Sequence, residues 1–193
     1  MNTMKTIILS AALAMATVPG IAAAQSTSAT GGGALNASAK LDFQVVVPAF
    51  LYFRVGTAGA TIDQIGFNVP GANVGDGTAV AGTGGDAGGG AVNVVLRSNA
   101  GQVTITPTNN SASGLSDGAG NNISWSDITA TSSDSNLPTP TLSNAGGTAV
   151  QPTLNGASSV TTRTATWTYS YANNSVVPAG TYTGQVTYTA ATP

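Results

Sequence analysis

Seven aspartates are the whole acidic inventory of this 193-residue chain, which has no histidine, cysteine or glutamate. That leaves no imidazole base, no thiol nucleophile and none of the better transition-metal ligands. Two-carboxylate hydrolysis needs a pair of aspartates in one cleft. Asp63, Asp76, Asp86, Asp117, Asp127 and Asp134 lie mostly in turn-like sequence, where an aspartate caps its own turn. A Ser–Lys dyad would have to recruit Lys40, on the polar side of an alternating strand. The expectation is therefore no enzyme, no catalytic residue, no metal site and no cofactor. Oxygen ligands for calcium are a second reading of "SDGAGNN" (116–122), which is acidic and glycine-interrupted but lacks the DxDxDG spacing, so a polar hairpin connection is the better one.

Aromatic residues offer the other route to chemistry. In "TATWTYSY", Ala165, Trp167, Tyr169 and Tyr171 share one strand face and Thr166, Thr168 and Ser170 the other. Trp167, Tyr169 and Tyr171 can stack sugar rings, or they can be the aromatic layer of a core, with Trp125 beside them. The core reading is favoured because few other large side chains are present to fill an interior.

The elements that would position these residues are strands. Alternation dominates from Leu35 onward, with strands expected near 41–47, 50–55, 62–69, 91–97, 102–107, 122–131, 148–154, 160–171 and 181–190. Gly/Asn/Asp/Pro-rich separators stand between them. The pattern predicts an all-β fold, an antiparallel, immunoglobulin-like (pilin-like) β-sandwich of about seven to nine strands. Segments 160–171 and 181–190, joined through Pro178-Ala179-Gly180, are expected to form a hairpin. Residues 71–90 hold nine glycines and read as a flexible surface loop.

The first 24 residues have a positive start at Lys5, an apolar stretch from Ile7 to Val18 and a small-residue Ala22-Ala23-Ala24 site, the pattern of a cleaved signal peptide. The expected destination is the periplasm, then the cell surface or the extracellular space. No later segment is long enough to span a membrane as a helix. The net charge of −2, without a Lys/Arg cluster, excludes nucleic acid as an electrostatic partner. Residues 25–48 would then be a flexible lead and an N-terminal strand, and 49–193 the sandwich.

That N-terminal strand, in "ALNASAKLDFQVVVP", aligns Leu35, Ala37, Ala39, Leu41, Phe43, Val45 and Val47 on one apolar face. Its span is roughly 40 Å at strand rise, longer than most sandwich strands. It is either the first strand of its own domain or a strand that adds to another copy. At the other end, "AGTYTGQVTYT" makes Gly180 the fourteenth residue counted back from Pro193, with Tyr182, Val186 and Tyr188 in alternation. Together these two segments resemble the subunits of chaperone–usher pili and the spore-coat-U-like secreted pilus proteins. The resemblance covers about 30 residues and departs from the pattern at Thr192, where an aromatic is typical, and in the absence of a cysteine pair. It implies a fimbrial structural subunit acting in cell adhesion. Residues 35–47 would be its donor strand, Gly180–Tyr188 part of the groove, and its partners other copies of itself, a periplasmic chaperone and an outer-membrane usher. A weaker likeness is to WxL surface domains, since Trp125-Ser126-Asp127 and Trp167-Thr168-Tyr169 lack the required leucine. Without the pilin resemblance, the composition also allows a self-complete secreted sandwich that binds carbohydrate or a surface polymer.

Overall fold

A computed structural model describes residues 27–193. The signal segment and its cleavage site lie outside the described residues. The chain divides into two units, Met1–Val47 and Pro48–Pro193.

The second unit is an all-β, antiparallel sandwich. One sheet runs in the order β1 (Leu51–Val55), β5 (Ala91–Ser98), β10 (Thr161–Tyr171), β3 (Val80–Ala81), with β9 (Ile128–Ser132) on the other side of β10. The other pairs β11 (Val186–Ala191) with β6 (Thr104–Asn109), and Val150 adds a single bridge to Ile105. Two short ribbons complete the set: β2 (Ile65–Gly66) with β4 (Thr83–Gly84), and β7 (Leu115–Ser116) with β8 (Asn122–Ile123). No described helix is long and apolar enough to cross a membrane.

The alternation built this core as expected. Val92, Val94 and Leu96 of β5 and Ala165, Trp167, Tyr169 and Tyr171 of β10 point inward and are buried, as are Val103 and Ile105 from the facing sheet. Their alternate neighbours along each strand are threonine, asparagine, serine and arginine, with Val95 the apolar exception, and these face out. Outward threonine suits a strand in a charge-poor chain, being polar and β-branched.

Several expected elements differ from what formed. Segments 160–171 and 181–190 are not a hairpin. Strand β10 pairs with β5 and β9, while β11 pairs with β6 in the opposite sheet, so the connection crosses the sandwich. The 122–131 strand is broken by a 3-10 turn at Trp125–Asp127, capped by the Ser124 side chain, because Trp125 turns inward to donate its Nε1–H to Ser111 O at 2.8 Å. Only Ile65–Gly66 of 62–69 is strand, and 148–154 supplies only isolated bridges, its end interrupted by buried Pro152. The last strand starts at Val186 rather than 181, since Gly184 lies flat beneath the Trp125 ring.

The glycine-rich 71–90 segment is a structured strap rather than a flexible loop. Just ahead of the start of β5 it becomes the neighbour of β10: Tyr169 N–H donates to Gly90 O at 2.9 Å and Gly82 N–H to Tyr169 O at 3.2 Å. Gly82 and Gly90 cross so closely that a Cβ on Gly90 would sit 2.4 Å from Gly82 Cα, and Gly90 also has φ of 76°. Only glycine permits both the crossing and the left-handed backbone.

Candidate functional site

In the first unit, residues 41–47 belong to no strand ladder, and only Lys40 makes an isolated bridge. Thr27 Oγ1 donates to Ser38 O at 2.8 Å and accepts from Ser38 N at 2.9 Å. Among the described residues the expected strand 41–47 therefore has no hydrogen-bonded partner, and without one an alternating segment leaves its amides to water. Its apolar side chains are exposed, Phe43 to 86% and Val45 to 84%. Leu35, Leu41 and Val47 are also exposed large hydrophobics, and Ala37 and Ala39 are exposed with them.

In the second unit, among the described residues, β1 ends its sheet with β5 on one side alone, and β11 ends the other with β6 on one side alone. The two edges approach each other at the same margin of the sandwich. Their inward side chains are incompletely covered: Phe53, Val55, Val186, Tyr188 and Ala190 are half-buried against the core, and Leu51 is exposed. Two free edges and two part-covered apolar columns thus line one open side.

The C-terminal residues divide unevenly over this margin. Val186 and Tyr188 lie on the inward face of β11, and Tyr188 packs edge-on to Trp167 at 5.4 Å between ring centroids. Tyr182 is half-buried and donates its hydroxyl to Pro178 O at 2.8 Å, away from the β11 ladder. Gly180 has an ordinary backbone, and a Cβ there would meet Asp117 at 3.5 Å, plain contact distance. Gly184, which sequence reasoning passed over, is the constrained one: its Cβ would lie 2.6 Å from the Trp125 ring.

Trp167, Tyr169 and Tyr171 are core residues. Trp167 has no exposed surface, and its Nε1–H donates to Leu137 O at 3.2 Å. A ring enclosed on both faces offers nothing to a sugar, which corrects the stacking alternative for these three. Between the sheets, the Tyr169 and Tyr188 hydroxyls share a hydrogen bond of 3.0 Å. Burial pushes both phenols above their usual range, with the Tyr188 neighbour adding to the effect at Tyr169. A raised native value means the stabilising contribution is complete below pH 10 and is lost as pH rises beyond it. Stability should fall above pH 10 by about 1.4 kcal/mol per pH unit for Tyr169, because the unfolded chain ionises first. Urea midpoints between pH 8 and 11.5 check this; Tyr169→Phe should flatten the slope, and an unchanged slope in that variant would refute the assignment.

The turn aspartates are consumed by their own loops. Asp117 Oδ1 accepts from Ala119 N and Asn121 N, and Oδ2 from Asn121 Nδ2, closing the β7–β8 hairpin. Asp134 accepts from Asn136 twice, Asp86 from Asn93 twice, and Asp63 from the Thr57 amide and hydroxyl. The side-chain amide of Asn73 beside Asp76, that of Asn121 beside Asp117 and the Asn136 backbone amide beside Asp134 hold these carboxyls below the usual range. Among the described residues, no three acidic, histidine or cysteine side chains gather around a point.

Asn173 is a second residue that sequence reasoning missed. It is buried, has φ of 53° and joins the connection after β10 to the glycine strap. Its Oδ1 accepts from Gly75 N at 2.9 Å, its Nδ2 donates to Asn73 O at 2.7 Å, and its carbonyl accepts from Gly77 N at 3.0 Å. The dipeptide Asn173-Asn174 signals only a turn in sequence; what it binds lies about a hundred residues earlier.

The chain matches no protein-family model, no curated protein and no solved structure.

Proposed function

We propose that this protein is a non-catalytic structural subunit of a surface fibre, exported and assembled by β-strand addition. The observation that carries this is the open margin between β1 and β11, where two unpaired strand edges flank half-covered apolar side chains. An edge of that kind invites another chain. The apolar face of residues 35–47 has the matching period, because side chains two apart enter successive pockets while main-chain amides complete the ladder. Passed from copy to copy, this is a heterologous contact that does not close, and such contacts make filaments. A dedicated chaperone would shield the open margin before assembly, and an usher would order the handover.

The test uses the exported chain and the 49–193 segment. The intact chain should polymerise, and Phe43→Asp should leave it monomeric, since a charge would enter an apolar pocket. Adding peptide 34–48 at about a hundredfold over its Kd should stabilise 49–193 by about 2.7 kcal/mol. For a domain of this size that raises Tm by about 5–10 °C. An intact chain that stays monomeric, with amides 35–47 protected from exchange at every dilution, would refute the proposal.

A further inference from the structure

The sandwich has three arginines, Arg54, Arg97 and Arg163. Arg163 is spent on structure, its Nε donating to Thr153 O and one Nη to Leu154 O, both at 2.8 Å. The other two lie together on the outward face of the five-stranded sheet. Register sets Tyr52 opposite Arg97 and Arg54 opposite Val95, and then Thr162 opposite Arg97 and Thr164 opposite Val95. Phe50 continues the same face of the chain, its backbone tied to Asn99. The rings of Phe50 and Tyr52 are 50% and 48% exposed.

These residues line two shallow concavities that share Arg54 and Val95. One, of about 370 Å³, is bounded by Phe50, Tyr52 and Arg97. The other, of about 340 Å³, continues over Asn93, Thr164, Thr166 and Ser133. Arg54 lines both concavities, with its Nε enclosed and without a hydrogen-bond partner among the described residues. Asp86 holds Asn93 at the far end and confines any anion to the Arg54–Arg97 end.

We propose that this outward face binds a carboxylate-bearing sugar chain. The guanidinium of Arg54 or Arg97 takes the carboxylate through parallel N–H donors. The two rings, one side-chain period apart, cover the apolar faces of successive sugars. Neutral threonine, serine and asparagine groups then meet the sugar hydroxyls. A cleft with an apolar floor and a few convergent polar groups is the usual form of a small-ligand site. The site lies on the outer face of the sheet and is independent of the fibre reading, which uses the open margin and the inward columns.

Calorimetric titration of the exported chain with oligogalacturonate tests it, beside a neutral glucose oligomer and a polyglutamate peptide of equal charge. The acidic sugar should bind, with affinity falling as salt rises, and the neutral oligomer should bind at least tenfold more weakly. Arg97→Gln, at an exposed position, should weaken binding tenfold or more while the melting temperature stays unchanged; Arg54→Gln and Tyr52→Ala should weaken it likewise. Lys40→Gln removes the same charge elsewhere and should leave affinity intact. No binding of oligogalacturonate, equal binding of the neutral oligomer, or an unaffected Arg97→Gln would overturn the site, and polyglutamate held as tightly would overturn its assignment to sugar.

Discussion

Trp167→Ala is expected to destabilise the sandwich by about 3–5 kcal/mol, the range for deleting a fully buried aromatic ring. Domains of this kind hold about 5–15 kcal/mol in all, so the variant would be close to unfolding. Three contacts make the loss large. The ring sits at the centre of β10, in register with Val92 of β5 on one side and Ser132 of β9 on the other. Its edge meets Tyr188 from the facing sheet at 67°, an arrangement worth more than buried area alone. Its Nε1–H donates to Leu137 O, a carbonyl that also accepts from the Ser132 hydroxyl at 2.7 Å, so the indole is part of a shared buried hydrogen-bond point. Trp167→Phe keeps part of the ring and leaves Leu137 O its Ser132 donor, so the lost hydrogen bond and the small cavity together should cost less, about 1–2 kcal/mol. Urea unfolding followed by circular dichroism measures both. A loss under 1 kcal/mol for the alanine variant would mean that the ring is not the inter-sheet anchor.

What the sequence makes legible here is period, and what it hides is pairing. The strands with clean alternation, Leu51–Val55, Ala91–Ser98, Thr104–Asn109 and Thr161–Tyr171, lie where alternation places them, because a face of period two needs only a core to point toward. Which strand pairs with which depends on distant residues. Nothing within Thr161–Tyr171 states that its neighbours are β5 and β9, and proximity in the chain wrongly favours β11. The broken strand at 122–131 fails for a related reason: Trp125 prefers a buried hydrogen bond to Ser111 over continuing the alternation. Glycine content in 71–90 is read as looseness, yet close crossing at Gly82 and Gly90 demands the same composition. The candidate site shares this division. The apolar face of 35–47 is visible in the sequence, whereas the open margin at β1 and β11, and the arginine-lined outer face, appear only once register is known.

Asn173 shows how much a single unread polar residue can hold, and its variants should be the next most damaging. Asn173→Ala leaves Gly75 N without its acceptor, takes from Asn73 O the nearer of its two donors, and places a Cβ-bearing residue with no local hydrogen bond at φ of 53°. Lost buried hydrogen bonds and left-handed strain together should cost about 2–4 kcal/mol. Asn173→Gly relieves the backbone strain without restoring the bonds, so it should recover about 1 kcal/mol of that loss. Asn173→Asp is the sharper test. It keeps size, conformation and the acceptor for Gly75 N, but turns an oxygen toward Asn73 O and Asp76 Oδ1, where Nδ2 now donates at 2.7 and 3.3 Å. Two carboxylates facing each other with no donor between them repel, which raises the pKa of one above its unfolded value. The aspartate variant should therefore be the least stable near neutral pH and regain stability as pH falls toward 5, when one carboxyl takes up a proton and donates. The alanine variant should show no such recovery. Urea midpoints of the three variants at pH 5 and pH 7.5 separate these outcomes, and an aspartate variant as stable as the native protein at pH 7.5 would show that the Nδ2 donors do not tie the strap to β10.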